Sequence, residues 1–269
     1  MDAAALGWFF APMDLPLSPR IRATGAPPIP AVRGWAARYQ GGAGPVLDMT
    51  QAVPGYPPHP DLLARLAAAA GDAKSAGYGP IEGEGALREA LAADMARAYK
   101  ARIGASDIAI TAGANLAFTL AMMTLASAGD AVMLPAPWYF NHRMALEALG
   151  IPCRVLPCRA EDGFLPDPAL AATLMQGVRA IVLVTPNNPT GAIYSPDLIA
   201  QFAKLCRDHG AWLVLDETYR DFIPEAAGAP HGLFQDAAWQ DHVVQLDSVS
   251  KAYCVPGHRV GAIAAGPGF

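Results

Sequence analysis

A lysine closes the string Ser248-Val249-Ser250-Lys251, and Arg259 follows eight residues later. A lysine among small residues, with hydroxyls and an arginine nearby, suits a Schiff-base amine beside an anion site. The apolar run Val243-Val244-Gln245-Leu246 comes just before it. A lysine at the end of a buried strand is expensive to charge, so its pKa falls and its nucleophilicity rises. Taken alone, a solvated loop lysine is the commoner meaning. Asp216 ends a second apolar run, Trp212-Leu213-Val214-Leu215. A buried carboxylate needs a cationic or hydrogen-bonded partner. A protonated pyridine nitrogen would serve, and so would a plain helix N-cap. Tyr219 lies three residues on, on the same side of a helical turn, where its phenol could reach a ring oxygen. Asn188, in Pro186-Asn187-Asn188-Pro189-Thr190-Gly191, could donate its amide to the same oxygen or sit in an ordinary Asn-Pro turn.

Two further strings suit an anion and a flat ring. Thr111-Ala112-Gly113-Ala114-Asn115 reads as a strand running straight into a helix, where unpaired backbone N–H groups make a phosphate site. Arg259 could clamp that phosphate bidentately, and Ser248 and Ser250 could add hydroxyl donors. Tyr139, in Pro137-Trp138-Tyr139-Phe140, could stack on a planar ring, although a core role is the ordinary one for most such aromatics.

The elements that must position these residues follow from periodicity. Short apolar runs predict strands at 108–111, 131–135, 153–156, 180–185, 212–216, 243–247 and 260–264. Helical patterns fall between them near 114–127, 140–149, 167–177 and 195–209. Upstream, helices are expected at 61–70 and 86–103, and a short strand at Val46–Thr50. Alternation with wholly apolar strands argues for α/β: a mostly parallel seven-stranded sheet sandwiched by helices. Ligands of such sheets bind beyond the strands' carboxyl ends, where the residues named above cluster. Residues 1–55 are expected to form an N-terminal arm and part of a small domain, and 56–269 a large domain.

Bulk properties narrow the class. The chain has 269 residues, 53% apolar, with net charge −5. No apolar stretch reaches the ~18 residues of a membrane span. The acidic balance and the lack of like-charge blocks argue against nucleic acid and anionic membranes. Asp2, Pro12 and Pro16 are unlike a signal peptide. The cysteines Cys153, Cys158, Cys206 and Cys254 form no C-x-x-C pair, so reduced thiols in a cytoplasmic protein and no metal site are expected.

Taken together, the strings resemble the class I/II aminotransferases of the fold-type I pyridoxal 5'-phosphate (PLP) enzymes. The likeness runs from about Val46 to Gly261. It includes Tyr78-Gly79-Pro80-Ile81-Glu82-Gly83 with Leu87-Arg88, and the order and spacing match as well: 28 residues from Asn188 to Asp216 and 35 from Asp216 to Lys251. The resemblance implies a ping-pong transamination between an α-amino acid and a 2-oxo acid. Lys251 would carry the cofactor and move the Cα proton, and Asp216 would pair with the pyridine nitrogen. Asn188 and Tyr219 would bond the ring oxygen, and Tyr139 would stack on the ring. Gly113, Ala114, Asn115, Ser248, Ser250 and Arg259 would hold the phosphate. Tyr78 would reach the phosphate of a neighbouring subunit, which implies a homodimer. Ala52 would lie beside the substrate, with Asn188.

Three departures qualify the likeness. Ala52 stands where the family often has glycine, and Cys254 where another small residue is usual. Members also continue well beyond the Arg259 position into a small C-terminal domain that supplies an arginine for the substrate carboxylate. That domain is expected to be absent here, and Arg20, Arg22 and Arg33 are poor replacements. The same residues would serve a PLP-dependent β-lyase or decarboxylase, or a truncated non-catalytic protein of this fold.

Overall fold

The computed structural model describes residues 17–269 except Ala52, Glu225 and Ala227. Its centre is a seven-stranded sheet in the order β1-β7-β6-β5-β4-β2-β3. The strands are β1 (Ile108–Thr111), β2 (Ala131–Ala136), β3 (Cys153–Pro157), β4 (Val178–Val184), β5 (Trp212–Asp216), β6 (Val243–Ser248) and β7 (Gly261–Ala264). Strands β2 to β6 run parallel, and β7 is antiparallel to both its neighbours, β1 and β6. The α/β sheet expected from the sequence is present, with every expected strand from 108 onward.

The helices are α1 (Pro19–Ala23), α2 (Pro28–Ala36), α3 (Pro60–Gly71), α4 (Gly85–Tyr99), α5 (Ala114–Leu125), α6 (Phe140–Leu149), α7 (Pro168–Thr173) and α8 (Pro196–Asp208). Strand alternation sorts the core into two layers. Val132, Leu134, Val182, Val214 and Leu246 pack with Phe118 and Met122 of α5 and Leu146 of α6. The intervening Met133, Ile181, Leu183, Leu213 and Leu215 pack with Phe202 of α8 and Met95 and Tyr99 of α4. With both faces covered, β2, β4 and β5 carry no polar face. That is why they read as continuous apolar runs rather than alternating ones.

Three local expectations fail. Val46–Thr50 is not a strand. Asp48 Oδ1 accepts from the Thr50 N–H at 2.9 Å and from its hydroxyl at 2.7 Å, and Leu47 and Met49 are exposed. A local side-chain turn takes the donor that a ladder would need. Helix α7 stops at Thr173, short of 177, where a turn from Met175 to Val178 through Gly177 (φ +73°) sets up β4. Helix α4 ends at Tyr99 rather than 103, because Lys100 adopts a left-handed conformation.

Candidate active site

A cavity of about 900 Å³ opens beyond the carboxyl ends of β4, β5 and β6. Asn188, Asp216, Tyr219, Ser248, Ser250, Lys251 and Arg259 all line it, with Ala114, Asn115 and Tyr139. The reversed strand β7 explains the presence of Arg259. Gly261 pairs with both Thr111 and Ser248, so β7 enters the sheet at the end where β6 leaves it. Tyr78 is fully exposed and does not line the cavity of its own chain. Ala52 lies outside the described residues.

Asp216 is buried at the floor, 4% exposed. Burial alone would raise its pKa, but hydrogen bonds from His142 and Thr218 outweigh burial and hold the carboxyl below its usual range. His142 Nε2 lies 3.1 Å from Asp216 Oδ2, and the Thr218 N–H donates to Oδ1 at 3.1 Å. Sequence reasoning missed His142. The available signal was its place one helical turn after Tyr139, in the first turn of α6.

Lys251 Nζ lies 5.8 Å from the centre of the Tyr219 ring. Partial burial, and then the charge of Arg259, pull its amine below the ordinary lysine value. The Tyr219 phenol is pushed up to about 12, chiefly by burial, with the neighbouring Asn188 side chain pulling the other way. Burial also raises Tyr139, whose hydroxyl accepts from Asn141 Nδ2 at 2.7 Å. Its ring meets His142 edge-on, at 5.2 Å. Asp216, His142 and Tyr139 therefore form one connected set, and Tyr219 and Asn188 line the same cavity beside it.

The anion corner is built from backbone. Gly113 (φ +85°) caps α5, so the Ala114 and Asn115 amides begin the helix and point out of its N-terminus. A Cβ at Gly113 would collide with the Arg259 guanidinium, and one at Gly261 would stand 2.6 Å from the Ala114 nitrogen. Only glycine allows strand, helix end and arginine to come this close. Arg259 Nη1 donates to the Pro256 carbonyl at 2.8 Å, and Nη2 reaches that of Ala112 at 3.4 Å. A guanidinium has five N–H donors, so the fork keeps others over.

Ile29, Val32, Met49, Gln51 and Val53 supply an outer wall of the cavity. The segment that holds them is too weakly periodic for its sequence to show this. Arg33 stands behind it, donating to Gln51 Oε1 at 2.8 Å, while Arg20 is spent on the Leu149 carbonyl at 3.1 Å.

The family model for aminotransferase class I and II matches residues 45–267. The chain belongs to the class I and II aminotransferases. Among relatives, an aromatic aminotransferase of Arabidopsis thaliana is 32% identical over 222 residues, 81% of this chain and 54% of that protein. A valine–pyruvate aminotransferase of Mycobacterium tuberculosis is 31% identical over 241 residues, 88% of this chain and 61% of that protein. The structure of an aspartate aminotransferase from Thermus thermophilus with maleate superposes with a TM-score of 0.81 at 26% identity. It covers 94% of this chain and 65% of that one. This aminotransferase chain thus spans between half and two thirds of the length of these relatives. Among its described residues, no helix is long and apolar enough to cross a membrane.

Members of the class I and II aminotransferases are PLP-dependent. The residues present fit that cofactor. The cavity offers a buried anion (Asp216), an amine of lowered pKa (Lys251), and an arginine beside a helix N-terminus (Arg259 and Gly113). These match a ring nitrogen, an aldehyde carbon and a phosphate respectively.

Proposed function

We propose that the protein carrying this chain is a PLP-dependent transaminase, exchanging the amino group of an α-amino acid for the oxygen of a 2-oxo acid by a ping-pong route. The observation that carries the reading is the convergence of Lys251, Asp216 and Arg259 on one cavity. PLP, when bound, supplies an electron sink for bonds at the substrate's α-carbon.

The chain's own groups do the rest. Arg259, Ser248, Ser250 and the amides of Ala114 and Asn115 hold the phosphate. Asp216, kept anionic by His142 and Thr218, holds a proton on the ring nitrogen. Asn188 and Tyr219 bond the ring oxygen, and the Tyr139 ring flanks the cofactor. Lys251, with its lowered pKa, would be the amine that holds the cofactor carbonyl, and the same amine would hold and move a proton at the substrate's α-carbon.

Residues 1–55 are assigned to the arm and small domain of the whole protein, and 56–269 to its large domain. Ala52 and Asn188 are placed beside the substrate. The exposed Tyr78 and Ile81, between α3 and α4, support a homodimer in which Tyr78 serves the partner's phosphate site. Its four free cysteines suit a reducing, cytoplasmic setting.

The test is to load the protein with PLP and add single L-amino acids without an acceptor. One 2-oxo acid released per bound cofactor, followed by full turnover when a second oxo acid is added, supports transamination. Continuous release of pyruvate and ammonia, or of carbon dioxide, without any acceptor overturns it.

A further inference from the structure

On the opposite face of the sheet from the cavity lies a charge cluster that the proposed chemistry does not use. Alternation decides its place. Asp216 faces the cavity, while Glu217 turns to the other face, where its Oε2 accepts from the Tyr99 hydroxyl at 2.5 Å. Ser248 faces the cavity, while Asp247 turns away. Between them lies Arg220, 7% exposed. Its Nη2 donates to Asp94 Oδ2 of α4 at 2.7 Å and to Asp221 Oδ1 at 3.0 Å, and its Nη1 lies 3.4 Å from Asp247 Oδ2.

Arg220 directly follows Tyr219, and Asp247 directly precedes Ser248. The Arg220 N–H donates to the Glu217 carbonyl at 2.8 Å. Asp247 Oδ1 accepts from the Ser248 N–H at 2.6 Å, and Ser248 Oγ accepts from the Ser250 N–H at 3.0 Å. A continuous chain of contacts thus runs from α4 through Arg220 and Asp247 to the lysine turn. Its central link is a charge contact without a hydrogen bond, since Arg220 Nη1 and Asp247 Oδ2 are both buried and neither has a hydrogen-bond partner among the described residues. Burial pushes the Asp247 carboxyl above its usual range, and the Arg220 guanidinium offsets part of that rise. Removing Arg220 would leave the Asp247 carboxylate buried without its countercharge, whereas removing the Asp247 charge leaves Arg220 held by Asp94 and Asp221 alone and frees the turn after Asp216 from the lysine turn.

We propose that Arg220 and Asp247 are positioning residues: their buried contact holds the turn after Asp216 against the turn that carries Lys251, and so sets how Lys251 sits over Tyr219. β5 ends at Asp216 and β6 at Ser248, and cross-strand hydrogen bonds continue one residue further, from the Glu217 N–H to the Leu246 carbonyl at 3.0 Å and from the Val249 N–H to the Val260 carbonyl at 3.4 Å, so residues 218–222 and 250–254 lie beyond the ladder. The catalytic meaning rests on the proposed transaminase reading; the geometric claim does not.

Two variants separate position from bulk stability. Asp247→Asn keeps an acceptor for the Ser248 N–H but deletes the charge. Arg220→Lys keeps the charge but cannot span three carboxylates with one fork. Hydrogen exchange on the cofactor-free protein should rise at least tenfold at residues 218–222 and 248–254 together in Asp247→Asn, less in Arg220→Lys, with β4 and α8 unchanged. PLP affinity should fall about tenfold in Asp247→Asn, and the induced circular dichroism of the bound cofactor, which reports its orientation, should change. A uniform rise across the chain, a rise in one segment only, no rise, or a wild-type dichroism band overturns the proposal. If the wild-type protein binds no PLP, the transaminase reading fails, and the exchange data still decide the positioning claim.

Discussion

His142 Nε2 and Asp216 Oδ2 meet at 3.1 Å, with side-chain exposures of 2% and 5%. The histidine is stacked on Phe118, ring centres 4.0 Å apart, so a core aromatic of α5 orients the ring that holds the carboxylate. The carboxylate at the end of β5 is thereby secured from behind by the hydrophobic layer between α5 and α6. Burying that carboxylate without the imidazole would favour its protonated form.

His142→Ala should therefore destabilise the chain by about 3 kcal/mol at neutral pH, the scale of a broken buried pair. Asp216 has a lowered folded-state pKa, so the stability it contributes is fully present above the ordinary carboxylate range. It is lost as pH falls through the lowered value. The gap between wild type and variant in urea unfolding should be full at neutral pH and shrink below about pH 4. A gap that does not change with pH would show that the loss is packing against Phe118 alone.

Lys251→Ala should abolish the visible absorbance that the protein acquires with PLP. In the cofactor-free chain it should raise the thermal midpoint. Burial lowers the Lys251 pKa, so carrying its charge opposes folding at every pH below the lowered value. That penalty disappears as pH rises to the ordinary lysine value of about 10.4. The variant's advantage should shrink over the same window, which thermal scans from neutral to alkaline pH would check.

Gly113→Ala combines a disfavoured backbone at φ +85° with a Cβ driven into Arg259. PLP affinity should drop at least tenfold, or about 1.4 kcal/mol, as measured by equilibrium dialysis. Gly129→Ala is the control. It shares the positive φ (+97°) but meets nothing within 4 Å, so it should lose stability and keep its affinity.

Tyr99→Phe removes the donor at 2.5 Å from Glu217 Oε2, leaving His231 Nε2 at 3.5 Å, while Glu217 Oε1 has no hydrogen-bond partner among the described residues. A buried acceptor losing its donor costs about 1–3 kcal/mol, to be read from chemical denaturation. Glu217→Gln in the same background should recover part of it, because a neutral amide is cheaper to bury than a carboxylate.

The sequence carried the sheet, and it picked out most of the residues that line the cavity, because both are local facts. An apolar run buried on two faces reads as a strand, and a polar residue at its end reads as a candidate ligand. Asp216, Lys251 and Asn188 were each legible in that way. Val46–Thr50 was misread because a strand also needs an edge to pair with, and Asp48 offers Thr50 a nearer acceptor. Helix α7 was overextended because its stop depends on the turn that starts β4.

What the chain order could not contain was which groups meet across the sheet. The strings around Gly113, Asn188, Asp216, Lys251 and Arg259 pointed to the family, since each is a short segment whose meaning lies in residue type and spacing. Only the tertiary structure decided that His142 backs Asp216, and that Gly261 brings Arg259 to the end of α5. It alone placed Arg220, between Asp94 and Asp247, under the lysine turn. Those contacts join residues up to 147 positions apart. The cause is the sheet order, in which β7 lies between β1 and β6, and the alternation that sends adjacent residues such as Asp216 and Glu217 to opposite faces.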